Sequence, residues 1–135
     1  MAAIPWPTSE GPVSREANPI GKDADVKQLD KEGKLAGGRA PIGLEKYTAF
    51  SCVTCHSQGQ IAPKTEGTFT RIVNDRLKDP ANAGKSPEEY IAESIIRPNT
   101  YLVPGFSPNV MPQDWGAKID LQDVKDLIAF IETQK

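Results

Sequence analysis

The sequence has few cysteine, histidine and methionine side chains, and it lacks long apolar stretches. Its 135 residues include two cysteines, one histidine and two methionines. A structural zinc site normally takes four Cys or His ligands, so a carboxylate would have to complete one here. No run of about 18 or more apolar residues is present, which excludes a transmembrane helix. Residues 1–20 also lack the basic start and apolar stretch of a secretion signal.

Positive and negative charges nearly balance in this chain. The formal net charge is −2, and 25% of the residues are charged. A nucleic-acid-binding protein usually shows a basic patch, and none is visible, so we expect no nucleic-acid partner. Long-range electrostatic steering toward any partner should be modest.

Residues 1–41 differ from the rest of the chain. They contain five prolines and few apolar residues, with no sustained helical or strand period. We therefore predict an irregular, Pro/Gly-rich N-terminal extension, in which residues 22–35 could form a helical turn or two. The extension could be disordered or drape over the surface, or it could be an arm that packs on a partner subunit with Trp6 as an anchor.

Residues 42–135 are predicted to form an all-α domain of short helices. The expected helices cover about 42–51, 68–77, 87–97 and 120–133, and a proline-rich loop at 98–115 separates the last two. A capping box from Ser86 to Glu89 starts the third helix, and Asp120 can cap the fourth. A core this small is marginal, so a large, flat, apolar cofactor would stabilise it.

The most informative motif is Cys52-Val53-Thr54-Cys55-His56. Cys-x-x-Cys-His is the attachment motif of c-type haem. The two thiols add across vinyl groups on adjacent pyrroles, which requires a short separation, and the next residue can then present its imidazole to the iron. We therefore predict one covalent haem c, attached through Cys52 and Cys55 and ligated by His56.

Other uses of this motif remain open. A thioredoxin-type dithiol also uses Cys-x-x-Cys, but in a strand–helix context that this chain does not show. A zinc site would need a carboxylate in addition to the two cysteines and the histidine. The motif could also occur by chance.

Met111 is the best candidate for the sixth iron ligand, by elimination. His56 is the only histidine, which excludes two-histidine ligation, and Met1 heads the extension. A thioether is a soft ligand, and His/Met ligation raises the reduction potential of a haem. Met111 could instead fill a gap in the core, with a lysine at the iron or the sixth position open.

The sequence resembles the class I cytochrome c family. The family has a glycine and an aromatic residue on the helix before the haem motif, and Gly43 and Tyr47 match them. Phe130 resembles the aromatic of the last helix that crosses the first, and Met111-Pro112 resembles the family's ligand loop. The resemblance implies a class I cytochrome c fold around one haem, and single-electron transfer rather than an enzyme activity.

A finer resemblance covers residues 94–112. They are similar to cytochrome domains of bacterial respiratory complexes, such as the monohaem subunit of alternative complex III or the domain fused to some oxidase second subunits. This implies a subunit or tethered domain of a respiratory or photosynthetic chain, associated with a membrane complex through residues 1–41. Its partners would be a quinol-oxidising complex, a terminal oxidase or another cytochrome. A free periplasmic carrier is the alternative.

The family resemblance has further implications. The haem would be attached in the periplasm or at the outer face of the bacterial cytoplasmic membrane, so we expect that a signal, lipid anchor or membrane helix has been removed. The carbonyl of Pro63 could accept a hydrogen bond from His56. Arg97, Tyr101 and Trp115 could bind haem propionates or the Met111 loop, although each is equally typical of surface or packing. A haem peroxidase or gas sensor would need an open sixth position.

Overall fold

The computed structural model describes residues 18–135, which form short helices without any strand. The α-helices in this range are α1 (Val26–Lys31), α2 (Ala40–Ala49), α3 (Cys52–His56), α4 (Thr68–Asn74), α5 (Pro87–Ile96) and α6 (Leu121–Glu132). Short 3-10 turns lie at Arg76–Lys78, Pro80–Asn82 and Trp115–Ala117. The all-α prediction is confirmed for these residues. None of their helices is long and apolar enough to cross a membrane.

The starts of α5 and α6 follow from local sequence. Ser86 Oγ accepts a hydrogen bond from the Glu89 N–H at 3.0 Å, with a proline in the first turn. The Glu89 carboxylate lies 3.8 Å from Lys27 Nζ. Asp120 and Asp123 form a complete capping box, because each carboxylate accepts from the other residue's N–H. These caps satisfy N–H groups that have no partner within the helix.

The helices α2 and α6 cross at close range, and this crossing organises the core. Gly43 lies against the backbone carbonyl of Asp126, where any Cβ would overlap it. One turn further along α2, the ring of Tyr47 packs on Phe130 with centroids 5.0 Å apart. The C-terminal end of α2, from which α3 follows, is thereby fixed against the last helix.

A cluster of buried charges lies beside this crossing. Lys46 Nζ is 2.7 Å from Asp123 Oδ1 and 2.8 Å from Asp126 Oδ2, and all three side chains are at most 2% exposed. Arg39 adds a pair of side-chain hydrogen bonds to Asp126, at 3.2 and 2.7 Å. Burial acts to raise the pKa of Asp126, but hydrogen bonds from the two cations outweigh it and hold that pKa well below its usual range.

The segment before α2 belongs to the core. Val26 and Leu35 are almost completely buried in the same hydrophobic cluster as the helices of the domain. The helical turn or two predicted within residues 22–35 is present as α1, which lies against α5. The division of the chain at residue 41 stays a prediction. Trp6, the predicted anchor, lies outside the described residues.

Candidate functional site

The Cys-x-x-Cys-His motif forms a single helical turn directly after α2. Ser51 joins the two helices in the left-handed conformation, with φ of 66°. In the helix α3, Cys52 and Cys55 are three residues apart and so share a face. Both cysteines and His56 are half-buried.

A mostly apolar cavity of about 450 Å³ lies against this turn. Its walls come from the end of α2, from α3, α4, α5 and α6, and from the loops 61–65 and 98–115. The four predicted haem-binding residues all line it: Cys52, Cys55, His56 and Met111. The volume is in the range of small-molecule and cofactor sites. The fold therefore brings together residues that the sequence keeps apart.

The imidazole of His56 is oriented by the loop that follows it. Its Nδ1 lies 2.7 Å from the carbonyl oxygen of Pro63, which can only accept, so Nδ1 carries the proton. The expected hydrogen bond is thus present, and it leaves Nε2 as the atom able to bind a metal. Burial lowers the pKa of His56, only partly offset by this hydrogen bond. The imidazole is neutral at neutral pH, the form in which it binds metals.

Thr65 connects this loop to α2. Its N–H donates to the His56 carbonyl at 2.7 Å, and its hydroxyl lies 2.5 Å from the hydroxyl of Tyr47. Burial raises the pKa of Tyr47 to about 12, so the phenol stays protonated at neutral pH. The aromatic residue of α2 therefore supports both the helix crossing and the position of His56.

The surroundings of the cysteines bear on the other uses of the motif. Burial raises the pKa of Cys52 to about 11, whereas a reactive Cys-x-x-Cys pair has at least one thiol of lowered pKa. Within residues 18–135, no group of three or more Cys, His, Asp and Glu side chains is arranged to hold a metal ion. The raised pKa disfavours the thiolate of Cys52, which is the form of a thiol that attacks a disulfide or binds a metal.

The loop that carries Met111 is held by hydrogen bonds in its middle. Asn99 and Asn109 pair through two of them, at 2.7 and 3.0 Å. Asn109 has a φ of 65°, a conformation that asparagine adopts more readily than most residues. Gln113 then donates to the Met111 carbonyl at 2.8 Å. These contacts fix the turn that leads into Met111.

Two of the three further candidates from the sequence also line the cavity. The hydroxyl of Tyr101 donates to Asp79 at 3.0 Å, and Trp115 packs on Phe50 with ring centroids 5.1 Å apart. Arg97 instead binds main-chain carbonyls of the N-terminal segment.

Arg76 is a cavity residue that sequence analysis missed. Its guanidinium is buried and donates to Thr68 Oγ1 at 3.2 Å. The ion pairs found among residues 18–135 do not include it. An arginine just after an amphipathic helix is ordinarily a surface residue, so the sequence carried no signal for it. A buried cation facing an apolar cavity favours a ligand that carries a negative group.

Comparisons with protein-family models, with curated proteins and with solved structures found no significant match for this chain.

Proposed function

We propose that this chain is a class I c-type cytochrome that passes single electrons through one covalent haem c. The observation that carries the proposal is a single apolar cavity lined by Cys52, Cys55 and His56 and also by Met111. The resemblance to this family implies that the last helix crosses the helix before the motif, and α6 lies against α2 at Gly43.

The cavity fits such a cofactor in shape and in chemistry. Haem is a large, flat, apolar ring with two carboxylates on one edge. The mostly apolar walls suit the ring, and the buried guanidinium of Arg76 suits a carboxylate. The neutral His56 presents one unprotonated nitrogen, as an axial ligand must.

Each of the site residues has a distinct role in this proposal. Cys52 and Cys55 hold the cofactor through thioether bonds, and His56 and Met111 are the axial ligands. The bound haem iron supplies reversible one-electron oxidation and reduction. The apolar walls limit the access of water, and the hydrogen bond to Pro63 keeps the imidazole in one orientation. Because His56 and Met111 would both ligate the haem iron, no position would remain for a substrate, which separates this role from that of a peroxidase or gas sensor.

The proposed place of the protein is in a respiratory or photosynthetic chain, as a subunit or tethered domain. The resemblance of residues 94–112 to cytochrome domains of bacterial complexes supports this. Electrons would come from a quinol-oxidising complex or another cytochrome and go to a terminal oxidase or a further cytochrome. The location would be the periplasm or the outer face of the cytoplasmic membrane. A free periplasmic carrier is the alternative, and both need a docking surface of modest size.

Covalent attachment provides the direct test. The chain should be produced in cells that export it and attach haem, then denatured in acidified organic solvent. We expect haem to stay with the polypeptide, whereas Cys52→Ser/Cys55→Ser should lose it. Val53→Ala, which changes an exposed residue between the two cysteines that does not line the cavity, is the matched control and should keep its haem. Haem that is extracted from the unmodified chain would contradict the proposal.

A further inference from the structure

The loop that carries Met111 begins at a residue tied to the N-terminal segment. That residue is Arg97, which caps the end of α5. Its Nη1 donates to the carbonyl oxygens of Lys22 and Ala24, each at 2.9 Å. Both acceptors belong to residues 20–24, the strap.

The far end of the loop is tied to the same strap. The Gly21 N–H donates to the Gly116 carbonyl at 2.6 Å, and the Ile20 N–H donates to the Ile119 carbonyl at 2.7 Å. The two backbones are so close that a Cβ on Gly116 would lie 2.7 Å from the Gly21 carbonyl oxygen. A residue other than glycine at position 116 would therefore push the strap away.

We propose that the strap positions Met111, with Arg97 and Gly116 as its two points of attachment, and thereby sets how readily the thioether leaves the iron. This inference rests on the proposed function, in which Met111 is an axial ligand. The loop has no α-helix or strand between α5 and α6, so its freedom depends on the Asn99–Asn109 pair within it and on how its ends are held. Fixing both ends to one short segment reduces the conformations available to the loop.

The strap would therefore control the fraction of the protein in which Met111 is not bound to the iron. A thioether is a weak ligand, so the iron is open for the fraction of time that the loop has moved away. An external ligand such as carbon monoxide binds in proportion to that fraction. Loosening either attachment should raise the fraction while the haem and His56 stay in place.

The test uses the full-length, haem-loaded protein and the variants Arg97→Gln and Gly116→Ala. The readouts are the rate of carbon monoxide binding to the reduced protein and the near-infrared methionine–iron band of the oxidised protein. We expect each variant to bind carbon monoxide roughly tenfold faster, the scale of losing one or two hydrogen bonds. The methionine band should weaken while the haem content per chain is unchanged.

Lys34→Gln is the control. Lys34 Nζ lies 3.1 Å from the Glu32 carboxylate, and both side chains are on the surface. This pair lies outside the strap and does not line the cavity, so the carbon monoxide rate of the variant should equal that of the unmodified protein. If Arg97→Gln does not fold, Gly116→Ala decides the matter by the same readouts. Wild-type rates in the strap variants would overturn the inference.

Met111→Ala separates this inference from the proposed function. With Met111 as a ligand, this variant should bind carbon monoxide fastest in the series. If it binds at the rate of the unmodified protein, Met111 is not a ligand and the axial assignment itself fails. If Met111→Ala is fast and the strap variants are unchanged, only the role of the strap is refuted.

Discussion

At the scale of single residues, Lys46 is the side chain whose behaviour departs most from its type. Lysine is almost never fully buried unless it is paired, and here two aspartates lie within 2.8 Å of its ammonium group. Sequence patterns place charged residues at the surface, so this cluster could not be predicted. Its formation depends on the crossing of α2 and α6, which brings residues far apart in sequence together.

Lys46→Met should strongly destabilise the protein. The change removes a buried cation and leaves two buried aspartates short of a partner, which typically costs about 3–5 kcal/mol. Denaturant unfolding of the haem-loaded protein would measure the loss. Lys34→Met is the control, because Lys34 pairs with Glu32 at 3.1 Å on the surface, and its loss should cost less than about 1 kcal/mol. Equal free energies of unfolding for the two variants would contradict this account of the cluster.

Met111→Ala should lower the reduction potential. Replacing the thioether by water or by no ligand removes the preference of the soft sulfur for reduced iron. A redox titration followed by optical absorbance measures the shift. Val73→Ala changes an exposed apolar side chain that does not line the cavity, and it should leave the potential close to that of the unmodified protein. An unchanged potential and spectrum in Met111→Ala would rule out the ligand assignment.

At the scale of elements, local sequence signals predicted where the helices lie better than they predicted which side of each helix is buried. Asp120 marks the start of α6 through a capping box within four residues, so sequence alone located it. Leu44 in α2 and Val73 in α4 are apolar, yet they are 49% and 39% exposed. Which side of a short helix is covered depends on what packs against it, and that is a tertiary property.

The segment 18–35 contains apolar residues whose burial could not be predicted from the sequence. Its few apolar residues have no clear period, and α1 is only six residues long. Such a short helix is not stable alone and owes its existence to packing. Val26 and Leu35 are buried because they join the hydrophobic cluster of the domain, which the sequence of the segment does not reveal.

Gly43→Ala should destabilise the crossing of α2 and α6. Alanine favours a helix by up to about 1 kcal/mol over glycine, but its Cβ would overlap the Asp126 carbonyl. Forcing the helices apart should cost typically about 1–3 kcal/mol or more. Thermal or denaturant unfolding measures the net change, and Leu44→Ala, at an exposed position of the same helix, should change stability by about 0.5 kcal/mol or less. A stabilised Gly43→Ala would show that the helices do not cross at this point.

At the scale of the whole molecule, the low pKa of Asp126 links folding to acidity. A carboxyl whose pKa is lower in the folded state than in the unfolded state stabilises the protein above the unfolded value, about 3.9 for aspartate. That contribution is lost as the pH falls through the folded pKa. Asp126→Asn should therefore reduce stability at pH 7.

The pH profile of Asp126→Asn provides the sharper measurement. Its free energy of unfolding should fall less steeply than that of the unmodified protein as the pH drops below about 4. Asp23→Asn is a control at a residue for which the structure shows no such network. Parallel profiles for Asp126→Asn and the unmodified protein would contradict the account.

The candidate site was predictable in its parts and not in its assembly. The motif at residues 52–56 and Met111 were each candidates from the sequence, and the structure places them on one cavity. The cavity itself is built by five helices and a long loop, and its buried Arg76 comes from a region with no motif. These features arise from packing over the whole domain, so they could be found only from the structure.

The optical spectrum of the reduced protein, before and after adding carbon monoxide, tests the central claim most directly. The account predicts the narrow bands of a low-spin c-type haem, with little change on mixing with carbon monoxide, because His56 and Met111 fill both axial positions. Rapid and complete carbon monoxide binding would contradict the axial ligation and electron-transfer role. No haem bands at all, in protein from cells able to attach haem, would contradict the claim that this chain is a cytochrome.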